Sequence, residues 1–339
     1  MKIIVTGGCG FIGSTLIKNL INYSKNKILN IDSLNYESIP ESLNSVKSKK
    51  NYFFKKIDIN NKDKLLQIFL EFKPNIIFHL AAESHVDRSI TKPYNFLRTN
   101  ILGTFNVIDN SKIFLENYKN YKNKFKIIHI STDEVYGSLK FKDKSFNELN
   151  KFFPNSPYAA SKASSDLLCR AWNQTYNLPI IITNCSNNYG PWQYPEKLIP
   201  VVIAKILQNK KIPVYGKGNN IRDWIHVEDH VNALINVSKN GIIGETYNIG
   251  GNNELENLDL VKQICEIIDE KIPQKKPYKR LISFVEDRLG HDFRYSINSK
   301  KIRNKLNFKL KYNMNDGLNQ TVSWYINNRN WLLQKLNFQ

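Results

Sequence analysis

A glycine-rich loop constrains this chain more than any other feature. Gly7-Gly8-Cys9-Gly10-Phe11-Ile12-Gly13 follows the apolar run Lys2–Thr6 directly and opens a helical pattern, Phe11–Tyr23. Glycines at this Gly-x-x-Gly-x-x-Gly spacing permit a tight turn, close approach of a pyrophosphate to the backbone, and close packing of helix on strand. The free N–H groups and the dipole at the helix N-terminus then favour phosphate.

The strand-then-helix rhythm repeats. Ile28–Asp32, Tyr52–Ile57, Ile76–Leu80, Lys126–Ser131 and Ile180–Asn184 read as short buried strands. Lys62–Phe72, Tyr94–Leu115 (after Pro93) and Tyr158–Tyr176 read as helices. Such alternation means a parallel sheet covered on both faces. The expected class is therefore α/β, a Rossmann-type doubly wound parallel sheet with a smaller α/β substrate-binding lobe. Past Asn187, the prolines at 191, 195, 200 and 213 break the rhythm. Trp224–His226 and a helix over Glu228–Ser238 read as a return to the sheet. Helices near Leu258–Ile268 and Asn315–Asn327 read as part of the lobe. Residues 1–186, with 222–249 returning, are expected to form the cofactor unit, and 187–221 with 250–339 the lobe.

Asp32 ends the second strand near the roughly 20-residue offset at which a carboxylate meets ribose hydroxyls. No arginine follows in Asp32-Ser33-Leu34-Asn35 to pair a 2′-phosphate, so NAD is expected over NADP. Asp58-Ile59 is placed to meet the adenine, or Asp58 to cap the helix at Lys62.

Tyr158-Ala159-Ala160-Ser161-Lys162 sets a phenol and an ammonium at i and i+4 on one helix face. The ammonium, and a nicotinamide cation if bound, would lower the phenol from its usual value of about 10, making Tyr158 a usable base. Asp133-Glu134 follows a buried strand at the sheet's carboxyl edge. Consecutive strand residues face opposite ways, so both acids reach one pocket only if the chain leaves strand conformation by Asp133. Gly137 is consistent with such a break. The plainer alternative is a solvated acidic turn.

With these residues in hand, the chain resembles the extended short-chain dehydrogenase/reductase family, and within it the dTDP-glucose 4,6-dehydratases. The resemblance covers nearly the whole chain. It implies that Tyr158 and Lys162 take a proton from a sugar hydroxyl while NAD accepts the geminal hydride. Thr132 would hydrogen-bond the sugar O4, Glu134 take the C5 proton, and Asp133 protonate the departing C6 oxygen, before the hydride returns to C6. It further implies cofactor contacts at Gly7, Gly10, Phe11, Ile12, Gly13, Asp32, Asp58, Ile59, Leu80, Ala81, Ala82, Thr99 and Asn188. Substrate contacts would come from Ser84, Asn187, Lys197, Leu198 and Asn257. Pro213, Val214 and Tyr215 would flank a pyrimidine. Arg222 and Arg288, with Asp287 and His291 beside the latter, would hold the diphosphate. The family usually has proline where Leu289 stands and alanine where Cys9 stands. Family members commonly dimerise through two long helices, here Tyr94–Leu115 and Tyr158–Tyr176, so a homodimer is expected. The same dehydration of UDP-glucose or another nucleotide sugar is the nearest alternative. A 4-epimerase is disfavoured by the carboxylate pair. A non-catalytic NAD-binding or nucleic-acid-binding protein would be expected to lack Tyr158, Lys162 or a carboxylate.

Composition removes other classes. The 339 residues carry 49 basic and 30 acidic side chains, a net +19. The lysines are scattered among asparagines, not gathered in a stripe, so nucleic acid is not an expected partner. The positive field suits an anionic small substrate. No apolar run approaches the roughly 18 residues of a membrane span, and Met1–Gly7 shows no leader pattern. A cytoplasmic location is the expectation. Cys9, Cys169, Cys185 and Cys265 are far apart and form no Cys-x-x-Cys pair, which speaks for small buried thiols and against a disulfide framework or a metal site. His85 and His291 read as ordinary hydrogen-bonded histidines.

Overall fold

Isoleucine-rich strands dominate the first half of the chain, and a computed structural model places them in one parallel sheet. It describes residues 1–22 and 25–336, so the expected helix end at Tyr23 lies outside the described residues. Strands β1 (Lys2–Thr6), β2 (Lys27–Asp32), β3 (Tyr52–Lys56), β4 (Ile76–His79), β5 (Lys126–Thr132) and β6 (Ile180–Cys185) lie close to the positions expected. Next come β7 (Asn187–Tyr189), β8 (Ile212–Tyr215), β9 (Ile221–His226), β10 (Thr246–Ile249), β11 (Glu254–Glu256) and β12 (Ile282–Val285). The main sheet has seven strands in the order β10-β6-β5-β4-β1-β2-β3. Chain order reverses between β1 and β4, and a doubly wound sheet binds ligands at that switch point.

The helices are α1 (Phe11–Asn22), α2 (Lys62–Phe72), α3 (Val86–Thr91), α4 (Pro93–Phe96), α5 (Thr104–Asn117), α6 (Pro157–Tyr176), α7 (Leu198–Leu207), α8 (Val227–Asn240), α9 (Asn257–Lys271), α10 (Lys300–Leu306), α11 (Met314–Asn327) and α12 (Arg329–Leu336). Alternating side chains of β1 serve two cores. Ile3 and Val5 pack with Leu16 and Ile17 of α1 and Leu234 of α8. Ile4 packs with Phe69 of α2, Val107 of α5 and Cys169 of α6. A third core joins Val202, Ile264, Leu318 and Val322 from α7, α9 and α11. All four cysteines are buried and free. No helix among the described residues is long and apolar enough to cross a membrane.

Two expectations need correction. The strand at Trp224–His226 does not rejoin the main sheet. Its β9 pairs in parallel with β7 and antiparallel with β11, because β10 already occupies the edge beside β6. Nor is the helix over Tyr94–Leu115 regular. A π-helical stretch, Leu97–Gly103, separates α4 from α5. A Cβ at Gly103 would lie 2.5 Å from Ile59 Cδ1, so a side chain there would force Ile59 aside in the loop after β3. Such bulges re-aim side chains at functional sites, and Arg98 and Thr99 from this one face the cleft described next.

Candidate active site

The carboxyl ends of β1 to β6 converge on one cleft of about 480 Å³. Gly7, at φ +71°, donates its N–H to Ile31 O at 2.8 Å, and a Cβ there would lie 2.7 Å from Ala81 N. A Cβ on Gly13 would lie 2.3 Å from Gly7 O. Gly10 is looser, its hypothetical Cβ meeting only Gly7 O at 3.3 Å, so a side chain there would fill the space over the N-terminus of α1. Asp32 ties this turn to the loop after β2. It accepts hydrogen bonds from Cys9 N (2.9 Å), Leu34 N (2.8 Å) and Ser38 Oγ (2.9 Å). Asp58 accepts from Asn60 and from Arg98 Nη2 at 2.8 Å. It does not cap α2; Asn61 does, through Lys64 N. A glycine cradle under a helix N-terminus, with carboxylates farther along, fits a dinucleotide. Every residue expected at the cofactor lines this cleft, as do Ser84, Thr132, Asn187 and Lys197.

Strand β5 ends at Thr132, and Asp133–Tyr136 forms one 3-10 turn capped by the Thr132 side chain, which accepts from Glu134 N at 3.3 Å. Gly137 follows at φ +92°. The break required for both acids to enter one pocket is therefore present, and both line the cleft. Burial, then Glu134 and Asp223, hold the Asp133 carboxyl well above the usual range. Glu134 is raised by burial too, but Arg288 and Arg222 pull it back. Helix α6 carries the remaining pair. Ser156 caps it through Ala159 N at 3.1 Å, and Pro157 pre-sets its first turn. Lys162 is buried with Nζ 2.9 Å from Ile130 O. The Tyr158 phenol is pushed well above its ordinary value by burial, then by Glu134. The i, i+4 spacing on its own predicts that Lys162 lowers it. Burial wins among the protein's own groups, because it penalises the phenolate and the ammonium alike.

On the opposite wall, Lys197 Nζ reaches Ser84, 3.0 Å from its O and 3.3 Å from its Oγ. Leu198, Pro213, Val214, Tyr215, Arg222, Asn257, Asp287, Arg288 and His291 lie outside the cleft lining. Several form an outer group. Tyr215 Oη donates to Asp87 (3.2 Å), Arg288 Nη1 pairs with Asp87 (3.2 Å), and His291 Nδ1 meets Asp287 (2.6 Å). Arg222 is buried and donates to the main-chain carbonyls of Ile221, Asp292 and Phe293 while stacking over the Tyr295 ring. His85 is ordinary in the sense expected: its Nδ1 accepts from Arg88 N and caps α3.

Residue reasoning missed Glu37, Arg98 and Tyr295. Glu37 accepts from Tyr36 Oη (2.5 Å) and Ser84 Oγ (3.1 Å). Tyr295 Oη lies 3.3 Å from Glu134. What brings each to the site is a contact with a distant segment: Ser84 for Glu37, Asp58 for Arg98 and Glu134 for Tyr295. Among the described residues no group of three or more His, Cys, Asp or Glu could hold a metal ion.

Comparisons with known proteins converge on one family. Residues 4–321 match the GDP-mannose 4,6 dehydratase family. The dTDP-glucose 4,6-dehydratase 1 of Escherichia coli K12 is 48% identical over 98% of this chain and 94% of its own length. The crystal structure of dTDP-glucose 4,6-dehydratase from Bacillus anthracis in complex with NAD superposes with a TM-score of 0.85 at 42% identity, covering 98% of both chains. A dTDP-glucose 4,6-dehydratase from Streptomyces venezuelae with NAD and TYD bound gives 0.89 at 38% identity, again over 98% of both.

Proposed function

The chain belongs to the GDP-mannose 4,6 dehydratase family, and on that premise we propose that it is an NAD-dependent hydro-lyase converting dTDP-glucose to dTDP-4-keto-6-deoxy-glucose and water. One observation carries the reading. Two adjacent carboxyls share a 3-10 turn beside Tyr158, and their surroundings differ: burial, Glu134 and Asp223 raise Asp133 well above its usual range, while Arg288 and Arg222 limit the rise that burial imposes on Glu134. Pushing two acids apart in this way assigns one to proton donation and the other to proton acceptance.

Bound NAD supplies a hydride acceptor that later returns the hydride. The chain's own groups do the rest. Tyr158 takes the proton of the sugar O4 hydroxyl, with Thr132 orienting that oxygen. Lys162 stabilises the Tyr158 phenolate that accepts this proton, and the step leaves a neutral phenol. Once C4 is a ketone, the C5 proton is acidic and Glu134 removes it. Asp133 delivers its proton to the C6 hydroxyl, which leaves as water. Ser84, Asn187 and Lys197 hold the sugar and diphosphate from the far wall, and the outer group at Tyr215 and Arg288 receives the nucleotide.

The reading includes a cofactor unit of residues 1–186 with 222–249, a lobe of 187–221 with 250–339, a cytoplasmic location and a homodimer. Exposed Tyr94, Leu97, Leu102 and Leu167 on the two long helical segments support the last of these; a strictly monomeric sedimentation profile would refute it. The decisive experiment incubates purified, NAD-loaded protein with dTDP-glucose and analyses for the 4-keto-6-deoxy product. Its absence from folded, loaded protein overturns the reading. The ratio of kcat/KM for dTDP-glucose and UDP-glucose decides the nucleotide, and loss of the C5 hydrogen to solvent separates dehydration from 4-epimerisation.

A further inference from the structure

Below the cleft floor lies a buried carboxylate that the reaction scheme leaves unused. Asp166 sits one helical turn beyond Lys162 on the buried face of α6 and is 1% exposed. Both its oxygens accept. Oδ1 lies 3.1 Å from His129 Nε2 on β5, and Oδ2 lies 3.0 Å from Asn184 Nδ2 on β6. His129 Nδ1 is buried without a hydrogen-bond partner among the described residues. An unpaired lone pair is better tolerated in a core than an unpaired N–H, so the ring proton belongs on Nε2, facing Asp166.

Asn184 spends its other N–H on Thr132 O, at 3.1 Å. Thr132 is the residue at which β5 gives way to the turn bearing Asp133 and Glu134. Two carbonyls earlier, Ile130 O receives Lys162 Nζ. Lys162 and Asn184 thus grip alternate carbonyls at the end of β5, and Asp166 stands behind both.

We propose that Asp166 is a positioning residue joining the two halves of the site: its charge compensates the Lys162 ammonium beside Tyr158, and its bond to Asn184 fixes the Thr132 carbonyl that launches the carboxylate turn. The charged groups around it are consistent with this. Burial pushes Asp166 up to about 7, and Lys162 is the first influence pulling it back. Asp166 in turn is the first group raising Lys162 against burial. The other titratable neighbours carry no charge near neutrality. Cys169 on α6 and Tyr136 in the turn are raised, as is Cys185 on β6. His129, and His79 behind it, are lowered by burial.

The proposal rests on the dehydratase reading, so the test has one arm with substrate and one without. In single turnovers with dTDP-glucose, followed by NADH absorbance, Asp166→Asn should move the alkaline limb of hydride transfer at least about one pH unit lower, since Lys162 loses its counter-charge. Asp166→Glu, which keeps the charge, should restore it. Without substrate, Asn184→Ala should speed amide hydrogen exchange over Asp133–Gly137 about tenfold, the factor one lost hydrogen bond is worth, and leave the limb in place. An unmoved limb in folded Asp166→Asn, or unaltered exchange in Asn184→Ala, overturns the proposal. If the Asp166 variants do not fold, the exchange arm still decides. Absence of product from the unmodified protein would fault the dehydratase reading and leave the exchange arm standing.

Discussion

The Tyr295 hydroxyl lies 3.3 Å from Glu134 Oε2 and 2.5 Å from Asp292 Oδ2. A phenol has one proton, and the nearer acceptor takes it. Tyr295 therefore presents a lone pair to Glu134. That contact becomes a hydrogen bond only after Glu134 has picked up a proton, the state reached when C5 is deprotonated. Tyr295→Phe should slow elimination about tenfold, or ~1.4 kcal/mol, with hydride transfer to NAD unchanged. Single-turnover absorbance would show NADH forming at the normal rate and persisting longer.

Asp133→Asn removes the proton source but keeps the volume. Elimination should fall by about 100-fold or more, the usual worth of a positioned acid. NADH should accumulate again, now with dTDP-4-keto-glucose recoverable by quenching. In the unmodified protein burial holds the Asp133 carboxyl high. Elimination should therefore decline as pH rises through that raised value, because the acid is lost, and the Asn variant should show no such decline.

What the sequence allowed one to read follows physical locality. The glycine turn, the Tyr158–Lys162 face and the strand break before Asp133 all depend on residues within a turn of one another, and Asp32 is legible from its fixed offset at the end of the next strand. The break was deducible because two consecutive acids on a strand cannot face one pocket, and the turn over Asp133–Tyr136 meets that demand. The failures are tertiary. Trp224–His226 looked like a core strand and is one, but which sheet it joins depends on β10 claiming the free edge. The π-helical stretch that carries Arg98 and Thr99 packs Gly103 against Ile59, a contact between segments far apart in the chain. A Lys beside a Tyr suggested an acidified phenol, whereas burial, which no spacing rule measures, raises it.

Glu37 and Glu196 predict a pH-dependent stability. Tyr36 Oη lies 2.5 Å from Glu37 and 3.5 Å from Glu196, so the two carboxyls crowd one hydroxyl. Burial, then Glu37, raises Glu196 above the ordinary carboxylate range. Glu37, despite burial working the other way, is held below it by Lys197 and by hydrogen bonds from Tyr36 and Glu196. For Glu196 the folded state keeps a proton that the unfolded chain releases, so this contribution to stability falls as pH rises from the ordinary glutamate range to the raised one. Glu37 has the opposite sign and loses its contribution only on acidification below the ordinary range. Thermal midpoints measured from about pH 6 to about pH 9 should fall in the unmodified protein, and the fall should be smaller in Glu196→Gln. Parallel curves for the two proteins would show that Glu196 is not the titrating group.

The glycine loop offers a contrast between two neighbouring positions. Gly13→Ala places a Cβ 2.3 Å from Gly7 O and 2.8 Å from Gly8 Cα, both backbone atoms that no rotamer change can move aside. Helix α1 would have to shift away from β1, opening the core that Leu16 and Ile17 form with Ile3 and Val5. A cost of about 2–4 kcal/mol is expected from overpacking and lost contacts together, along with weaker NAD binding because the N-terminus of α1 moves. Cys9 contributes to the same turn chiefly through its main chain, which donates to Asp32. Its thiol accepts from Asn30 Nδ2, which also donates to Tyr52 Oη. Cys9→Ala should therefore cost no more than about 1–2 kcal/mol, the range for trimming a small buried side chain, and leave NAD affinity unchanged. Denaturant titrations and calorimetric NAD binding on the two variants check both statements, and equal losses of affinity would mean that the loop responds to side-chain volume in general and not to the close approach of Gly13 to Gly7.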